Sequence, residues 1–288
     1  MMGAEFLAFA RTVDPEARLR LAPTPSGYLH LGNAANFTLN WLATRLQPGA
    51  KLLLRIDDLD ADRKRPEYVA DIFESLHGLG LDWDEGPVSP ADFEGNWSQN
   101  LRISLYHQAL DDLRATGLLY ACAKSRQDLA PFGGQYPLEF REQKLDLDTP
   151  SVAWRIATPP GFPLPDFVVR RRDGVPAYQI ASIVDDLHFG ITHIIRGADL
   201  ATSTGAQQWL AEQLDWPDFL KIQFWHHPLL TDEQGVKLSK SAGATALHAL
   251  QIADKREDVL QRVATLLELP GGSLHNMIDL LTRLRTKK

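Results

Sequence analysis

The chain has 288 residues, is 44% hydrophobic and 23% charged, and has a formal net charge of −7. These values are typical of a folded globular protein and exclude disorder, and the length allows two modest domains or one α/β domain with an insertion. No apolar run approaches the roughly 20 residues of a membrane span, and the single cysteine, Cys122, excludes an internal disulfide. We therefore expect a cytoplasmic protein without a membrane partner.

The acidic residues are concentrated in one segment. Asp57 to Glu94 contains 12 acidic and 3 basic residues, so the other residues sum to a charge of +2. The overall negative charge argues against indiscriminate nucleic-acid binding, while this asymmetry permits a basic face for a polyanion such as RNA. A solvated acidic surface is the plainer explanation of the same imbalance.

The first 80 residues predict strand, helix, strand, helix. Arg18 to Ala22 alternates as a short strand, Leu31 to Leu46 has apolar residues at helical spacing, and Lys51 to Ile56 is a nearly continuous apolar strand. Pro66 begins the second helix. The apolar positions of that helix are Val69, Ile72, Phe73 and Leu76. This βαβα order predicts a doubly wound parallel sheet.

A further helix is predicted from Ser98, its cap, to Thr116, with Gly117 as its stop. From Tyr120 to Pro165 the chain is irregular and turn-rich, with one strand over Val152 to Ile156. We interpret this break in the alternation as an inserted subdomain.

The second half returns to alternating strands and helices. DFVVRR and the turn Asp173-Gly174 predict a hairpin. The elements after it are a helix over Tyr178 to Asp186, a strand over Gly190 to Gly197, a helix over Thr202 to Leu214 and a strand over Ile222 to Trp225. The end, His248 to Lys288, is helical in pattern, divided by Pro270-Gly271-Gly272. We therefore divide the chain into the two halves of an α/β domain, 1–116 and 169–247, an inserted subdomain, 117–168, and a helical C-terminal segment, 248–288.

The stretch APTPSGYLHLGN, from Ala22 to Asn33, joins the first strand to the first helix. The first strand of a doubly wound sheet ends at the crevice where such folds bind nucleotides, and the following helix points its N-terminal amides into it. Gly27 and Gly32 let the backbone approach a ligand, and His30 can donate a hydrogen bond to a phosphate. A surface or capping histidine is the alternative.

A second stretch, VKLSKSAG from Val236 to Gly243, places Lys237 and Lys240 on either side of Ser239. Flexible lysines supply positive charge that can follow an oxyanion as charge builds in a transition state. On its own, this stretch is equally typical of a solvated loop.

Taken together, the two stretches resemble in order and separation the paired signatures of the class I aminoacyl-tRNA synthetases. His30-Leu31-Gly32-Asn33 is similar to the histidine motif of that family, and Lys237-Leu238-Ser239-Lys240-Ser241 is similar to its lysine motif. Between Arg18 and Leu247, further segments resemble the glutamyl branch, namely RLAPTPSGYLHLGN, LLRIDDLD, RRRDGVPAY, VDDLHFGITHIIRGADL and VKLSKS.

The resemblance implies a Rossmann-type catalytic domain interrupted by an acceptor-binding insertion, with ATP as substrate and Mg2+ as cofactor. The implied reaction is attack of the glutamate α-carboxylate on the α-phosphorus of ATP, followed by transfer of the glutamyl group to tRNA. The implied catalytic residues are His30, Lys237 and Lys240. The residues implied to bind ATP are Gly27, His30, Gly32, Asn33, Lys237, Ser239 and Lys240.

The same resemblance implies the residues that hold the substrate glutamate, which are Arg20, Thr24, Asp57, Tyr178, Ser182 and Arg196. Arg196 matches the arginine that faces the γ-carboxylate, and a planar guanidinium pairs bidentately with a carboxylate, so we expect glutamate rather than glutamine. An arginine that merely bridges sheet and helix is the alternative. Asp57 and Ser182 depart from the glutamate and asparagine that are frequent at these positions, whereas Thr24 keeps the hydroxyl of serine.

Only 48 residues follow Lys240, where discriminating glutamyl-tRNA synthetases continue into a large anticodon-binding domain. The chain therefore resembles the glutamyl-Q tRNA(Asp) synthetases, which place glutamate on the queuosine base in the anticodon of tRNA(Asp). We expect a monomer that binds glutamate and the anticodon stem-loop of tRNA(Asp), with Arg170, Arg171 and Arg172 as candidate RNA contacts. The alternatives are a compact synthetase that charges the terminal ribose of tRNA(Glu), and a catalytically silent paralogue that binds tRNA, an amino acid or a partner protein.

Many members of that family bind zinc in the insertion through three cysteines and a tyrosine. Here Cys122 and Tyr136 fall at ligand positions, while Lys124 and Phe140 occupy the others. Two ligands cannot close a tetrahedral zinc site, so we predict no structural zinc. The residues expected to pack there instead are Phe132 and Trp154.

Overall fold

A computed structural model of the chain describes residues 2–133, 136–229 and 252–286, without the side chains of residues 126 and 252–255. The strands are β1 Arg18–Leu21, β2 Lys51–Leu54, β3 Leu119–Cys122, β4 Ala153–Ile156, β5 Phe167–Arg170, β6 His193–Gly197 and β7 Gln223–His227. The α-helices are α1 Met2–Ala10, α2 Leu31–Leu46, α3 Pro66–Leu79, α4 Pro90–Asp92, α5 Ile103–Ala115, α6 Arg126–Leu129, α7 Tyr178–His188, α8 Ala201–Gln213, α9 Pro217–Leu220, α10 Ile252–Leu266 and α11 Met277–Thr286. Short 3₁₀ or π turns occupy Phe93–Trp97, Gln99–Arg102, Ala130–Phe132, Leu138–Glu142 and Ala198–Leu200.

Contacts divide the described chain into two units. Unit 1 consists of the described parts of Met1–Leu101, Ile191–Asp199 and Ile222–Lys288, and unit 2 of those of Arg102–Gly190 and Leu200–Lys221. The four-part division made from the sequence stays a prediction.

Parallel strands form the centre of unit 1. β1 pairs in parallel with β2, and β6 pairs in parallel with β7. The Thr192 N–H donates to the Arg18 carbonyl at 2.9 Å, which joins the start of β6 to the start of β1. Since α2 connects β1 to β2 in this sheet, the predicted Rossmann-type α/β fold is confirmed.

The core of unit 1 lies around these strands and is apolar. Leu19, Leu21, Leu52 and Leu54 are fully buried on β1 and β2, and each such side chain contributes roughly 1.5–3 kcal/mol of transfer free energy on burial. On the other pair of strands, Phe6 of α1 packs edge-on against Trp225 at 5.3 Å. Helix α1 was not predicted from the sequence, which shows an apolar patch at this position.

The ends of α3 follow from local chemistry, as predicted at its start. Pro66 begins the helix, where a missing N–H costs no hydrogen bond. Gly80 ends it with φ +78°, a left-handed conformation that glycine adopts without strain.

Helices α10 and α11 attach to the far ends of α2 and α3. The Arg285 guanidinium donates to the Arg45 carbonyl at 2.9 Å, and Arg256 donates to the Gly78 carbonyl at 2.7 and 3.0 Å. Both carbonyls belong to the last helical turn, where positive charge complements the helix dipole. The helical character predicted for the C-terminal segment is confirmed over these described residues.

The helix predicted from Ser98 begins as a 3₁₀ turn over Gln99–Arg102, and the α-helical part, α5, begins at Ile103. The Ser98 hydroxyl accepts the Asn100 N–H of that turn at 3.3 Å, as predicted for a cap, and donates to the buried Asp58 carboxylate at 2.7 Å. The end of this helix, just before Gly117, is close to the predicted one.

Unit 2 contains the antiparallel sheet β3–β4–β5. Strand β3 was not predicted, while β4 and the hairpin turn at Gly174 lie where the sequence places them. Two buried carboxylates in this unit each accept several hydrogen bonds. Asp185 receives two bonds from Arg102 and one from the Tyr106 hydroxyl.

The second buried carboxylate, Asp166, ties the insertion together. It accepts hydrogen bonds from Arg141, the Tyr120 hydroxyl and the backbone and hydroxyl of Thr158. Burial opposes ionisation, but these hydrogen bonds outweigh it and lower the pKa of Asp166.

Among the helices in the described ranges, none combines the length and apolar character needed to cross a bilayer.

Candidate active site

His30 caps the N-terminus of α2, at the end of the turn formed by residues 22–30, which we call the histidine turn. The Gly32 N–H donates to His30 Nδ1 at 3.1 Å, and the His30 N–H donates to Asn33 Oδ1 at 3.2 Å. Because Nδ1 accepts a hydrogen bond, the proton of the neutral imidazole is assigned to Nε2. His30 is therefore a capping residue, and the predicted contact of its Nε2–H with a phosphate stays a prediction.

A buried carboxylate from α3 holds the histidine turn. Asp71 is 3% exposed and accepts the Leu29 N–H at 2.9 Å through Oδ2, while the Ser75 hydroxyl donates to Oδ1 at 3.3 Å. Tyr28 packs edge-on against Tyr68 of the same helix at 5.0 Å. No sequence motif singles out Asp71, because it lies among the polar residues of an amphipathic helix.

The predicted glutamate ligands of unit 1 lie on strands of the parallel sheet or at their carboxyl ends. Arg20 lies in β1 and Arg196 in β6, and both side chains are buried. Thr24 follows β1 and Asp57 follows β2, and the Asp57 N–H donates to the Pro23 carbonyl at 2.9 Å. Ligands of open α/β sheets bind at this edge, so these residues occupy suitable positions.

Asp57 forms an ion pair with Arg55, which the sequence did not identify. Arg55 Nε and Nη2 contact the two carboxylate oxygens of Asp57 at 2.7 and 3.1 Å. The Arg55 side chain is 2% exposed and that of Asp57 is 14% exposed. This bidentate pair fixes the orientation of the Asp57 carboxylate.

Arg196 rests on an aromatic side chain of the neighbouring strand. Its guanidinium carbon lies 5.1 Å from the centroid of the Phe224 ring. His226 is the partner of Arg196 in the strand register. Burial and then the positive charge of Arg196 lower the pKa of His226, which keeps this imidazole neutral at neutral pH.

Tyr178 and Ser182 belong to unit 2, where they lie in α7. Tyr178 is the first residue of the helix and is 46% exposed, as expected of a residue available to a ligand. Ser182 is buried, and its hydroxyl has no hydrogen-bond partner in the described parts of the chain. Such an unsatisfied buried hydroxyl is costly unless a water or a ligand completes it.

Lys237, Ser239 and Lys240 lie outside the described residues. The expected convergence of His30 and Lys240 on one triphosphate therefore stays a prediction.

A separate cavity of about 740 Å³ lies between the far ends of α2 and α3 and the helices α10 and α11. Its walls include Trp41, Arg256 and Arg285 but none of the predicted site residues.

Comparison with known families identifies the protein family of this chain. The family described as tRNA synthetases class I (E and Q), catalytic domain, matches residues 16–135 and 141–286. This chain belongs to that family. The histidine turn, the strands that carry Arg20 and Arg196, and the segment after β2 that contains Asp57 are thus parts of a class I synthetase catalytic domain.

Curated relatives narrow the branch of this synthetase. The glutamyl-Q tRNA(Asp) synthetase of Symbiobacterium thermophilum is 40% identical over 266 residues, which cover 81% of this chain and 81% of that protein. The glutamyl-Q tRNA(Asp) synthetase of Parasynechococcus marenigrum is 41% identical over 245 residues, which cover 83% of this chain and 78% of that protein.

A solved glutamate-tRNA synthetase, that of Elizabethkingia anophelis, has a TM-score of 0.64 and 27% identity over 79% of this synthetase. The match covers 53% of that chain, so this synthetase spans about half of its length. A glutamate tRNA ligase from Elizabethkingia meningosepticum, at a TM-score of 0.66 and 21% identity over 92% of this chain and 64% of that one, agrees in fold.

The positions that resemble zinc ligands in this synthetase are occupied by groups that bond to one another. We call Cys122, Tyr136, Phe140 and Gln143 the Cys122 cluster. The Tyr136 hydroxyl donates to Cys122 Sγ at 3.1 Å and to the Phe140 carbonyl at 3.1 Å, and Gln143 donates to both Tyr136 and Phe140. Lys124 lies 4.7 Å from the centroid of the Phe140 ring.

The chemistry of this donor set does not fit zinc. Burial raises the pKa of Tyr136 to about 12, and its hydroxyl proton is engaged with sulfur. The pKa of Cys122 is lowered despite burial, because the side chains of Tyr136 and Gln143 hydrogen-bond to the sulfur. Phe132 packs edge-on against Phe140 at 5.4 Å, as expected.

Trp154, the other residue expected to pack there, contacts arginines instead. Its ring lies 5.5 Å from the guanidinium carbon of Arg114 and 4.8 Å from that of Arg170. In the described ranges no three or more His, Cys, Asp or Glu side chains are grouped to hold a metal ion, so the Mg2+ requirement stays a prediction.

Proposed function

We propose that this synthetase uses ATP to activate glutamate as glutamyl-adenylate and transfers the glutamyl group to the queuosine base in the anticodon of tRNA(Asp). The observation that carries the proposal is the cap at His30, which directs an Nε2–H donor from the N-terminus of α2. The similarity to relatives named glutamyl-Q tRNA(Asp) synthetase supports the choice of amino acid and acceptor.

The chemistry needs no covalent enzyme intermediate. The glutamate α-carboxylate attacks the α-phosphorus of ATP, and pyrophosphate leaves with the electron pair of the broken P–O bond. The residues contribute by aligning two anions and by stabilising negative charge that builds on the phosphate oxygens. His30 donates from Nε2, the dipole of α2 adds positive potential, and Lys237 and Lys240 are proposed to act on the same phosphates.

Glutamate is proposed to lie between the ends of β1, β2 and β6. Asp57, held by Arg55, accepts the substrate ammonium, and Arg196 pairs with the γ-carboxylate. The neutral amide of glutamine cannot form the charge-assisted bidentate pair that a carboxylate forms with Arg196, which is the proposed physical basis of discrimination. Arg20 and Thr24 are proposed to line the remainder of this pocket. By the family resemblance, Tyr178 and Ser182 stay proposed glutamate ligands.

The proposal extends to the location, oligomeric state, metal ions and RNA partner of the enzyme. We propose that the enzyme is a cytoplasmic monomer, that its reaction depends on Mg2+ supplied with ATP, and that it carries no structural zinc. The RNA partner is the anticodon stem-loop of tRNA(Asp), with Arg170, Arg171 and Arg172 as candidate contacts.

The decisive measurement is acylation of queuosine-containing tRNA(Asp) compared with unmodified tRNA(Asp), with the product mapped to the anticodon or the terminal fragment. Glutamate in the anticodon fragment of the modified tRNA alone is the expected result. Label at the terminal ribose of tRNA(Glu) would favour the compact synthetase, a second candidate suggested by the match to a solved glutamate-tRNA synthetase. Absence of glutamate-dependent ATP–pyrophosphate exchange would leave only a binding paralogue.

A variant tests the role of the histidine turn. We expect His30→Ala to slow ATP–pyrophosphate exchange by about a hundredfold, the typical effect of removing one donor to a developing oxyanion. His107 is an exposed histidine of α5, so His107→Ala is the matched control and leaves exchange unchanged. Equal loss in the two variants would contradict the assignment of His30.

A further inference from the structure

Strands β6 and β7 present two different faces. Since alternate residues of a strand share a face and parallel partners lie side by side, Arg196, Phe224 and His226 share one face. Ile195 and Trp225 occupy the opposite face and join the apolar core of unit 1, where Trp225 contacts Phe6. A buried guanidinium and two partly buried rings are thus segregated from that core.

The two rings lie nearly parallel to each other, and one of them contacts the guanidinium. The rings of Phe224 and His226 are inclined by only 5° with centroids 6.3 Å apart, and the Arg196 guanidinium carbon lies 5.1 Å from the Phe224 centroid. Arg196 is 3% exposed. We call Phe224 and His226 the aromatic shelf.

This arrangement suits a guanidinium that must bind a planar anion. An aromatic face attracts the cation without accepting any of its N–H groups. The contact also restrains the guanidinium plane, and bidentate pairing with a carboxylate depends on the orientation of that plane. A carboxylate side chain at the position of Phe224 would instead pair with Arg196 and compete with the substrate.

The neutral state of His226 adds to this effect. The charge of Arg196 and burial both disfavour an imidazolium, so the shelf adds no second positive charge beside the guanidinium. The shelf therefore restrains the arginine without changing the net charge that the substrate meets.

We propose that the aromatic shelf positions Arg196 for the γ-carboxylate of glutamate, which makes Phe224 and His226 determinants of amino-acid specificity. This inference rests on the proposed function. Neither ring is assigned a bond-making step, and both are positioning residues that act through Arg196.

The test is the Michaelis constant for each substrate in ATP–pyrophosphate exchange. For Phe224→Leu we expect the KM for glutamate to rise about tenfold, within the range of a desolvated cation–π contact, while the KM for ATP and kcat change less than about twofold. Phe224→Tyr restores the aromatic face and keeps the wild-type KM for glutamate. The preference for glutamate over glutamine, as a ratio of kcat/KM, falls in Phe224→Leu and is retained in Phe224→Tyr.

The matched control is Trp225→Leu, which removes a ring from the same strand but from the opposite face. It lowers the melting temperature without a selective change in the KM for glutamate. An unchanged KM for glutamate in a folded Phe224→Leu variant would overturn the proposal. If that variant does not fold, His226→Leu decides, with a rise of about threefold in the KM for glutamate expected and no rise overturning it. Wild-type protein without glutamate-dependent exchange would refute the proposed function itself, a distinguishable outcome.

Discussion

The histidine turn and the Cys122 cluster both lie where the family resemblance predicts a functional group, yet they are held by different kinds of bond. In the turn, backbone N–H groups are bound by side chains, including the Leu29 N–H by Asp71 and the Gly32 N–H by the His30 ring. In the cluster, the side chains of Tyr136 and Gln143 bond chiefly to each other, to Cys122 and to the Phe140 carbonyl.

The two regions differ in how their side chains are used for local structure. In the turn, His30 Nδ1 accepts the Gly32 N–H, which assigns the proton of the neutral imidazole to Nε2. The cluster uses the tyrosine proton and the thiol in internal hydrogen bonds, so the local fold is complete without a metal. A resemblance in sequence is thus retained in function only where folding leaves the reactive atom in place.

The turn should be the more sensitive of the two regions. We expect Asp71→Ala to lower the free energy of unfolding by about 3 kcal/mol, because the buried Leu29 N–H loses a charged acceptor. It should also slow ATP–pyrophosphate exchange, because the histidine turn loses its anchor to α3. Urea unfolding and exchange rates check this together. Ser75→Ala, which removes the longer bond to the same carboxylate, is the control, and a loss as large as that of Asp71→Ala would refute the anchoring role.

A smaller and pH-dependent effect is expected in unit 2. Asp166→Asn should lower the free energy of unfolding at pH 7 by about 2 kcal/mol through the loss of charge-assisted bonds to Arg141 and Thr158. Because the folded pKa of Asp166 lies below the unfolded value of about 3.9, this stability is fully present above that pH. It is lost as the pH falls through the folded pKa.

Urea unfolding of wild type and Asp166→Asn between pH 7 and pH 2 measures this difference. A difference in unfolding free energy between the two proteins that persists unchanged at the lowest pH would argue against an ionised Asp166 carboxylate in the folded state. Asp218→Asn is the control, since Asp218 forms an exposed pair with Lys221 and should cost less than about 0.5 kcal/mol.

The smallest effects are expected in the Cys122 cluster. Tyr136→Phe should lower the free energy of unfolding by about 1 kcal/mol, the typical value of one neutral hydrogen bond. Incubation of wild-type protein with EDTA should leave the melting temperature unchanged, whereas removal of a structural zinc would lower it markedly. Co-purifying zinc, or a fall in melting temperature with EDTA, would show that the protein holds a structural zinc, against the prediction.

The elements that were predicted closely are those with strong local signals. Helix α2 has the predicted bounds, and α3 begins at Pro66 as predicted, because apolar periodicity and proline chemistry act within a few residues. Strand β3 was missed because its pairing with β4 depends on residues more than 30 positions away. The bond from the Ser98 hydroxyl to Asp58 was missed for the same reason, since Asp58 lies 40 positions away.

The site shows the same division. His30 was singled out because it lies in a turn with its own chemical pattern; the structure shows it as the cap of α2, and its catalytic role stays a prediction. Arg55, Asp71 and Phe224 were not singled out, because each contacts another residue of the turn, of a strand or of the segment after a strand and carries no motif of its own. Their contributions depend on contacts that only the folded chain creates.

The bonds from Arg256 and Arg285 to the ends of α3 and α2 bear on any attempt to engineer a minimal ligase. A version trimmed before residue 252 would expose the last carbonyls of both helices and uncover the leucine-rich sides against which α10 and α11 pack. Such a fragment would tend to aggregate even though it kept every signature motif. A split or permuted design should therefore keep residues 252–286 covalently or non-covalently joined to the rest of unit 1.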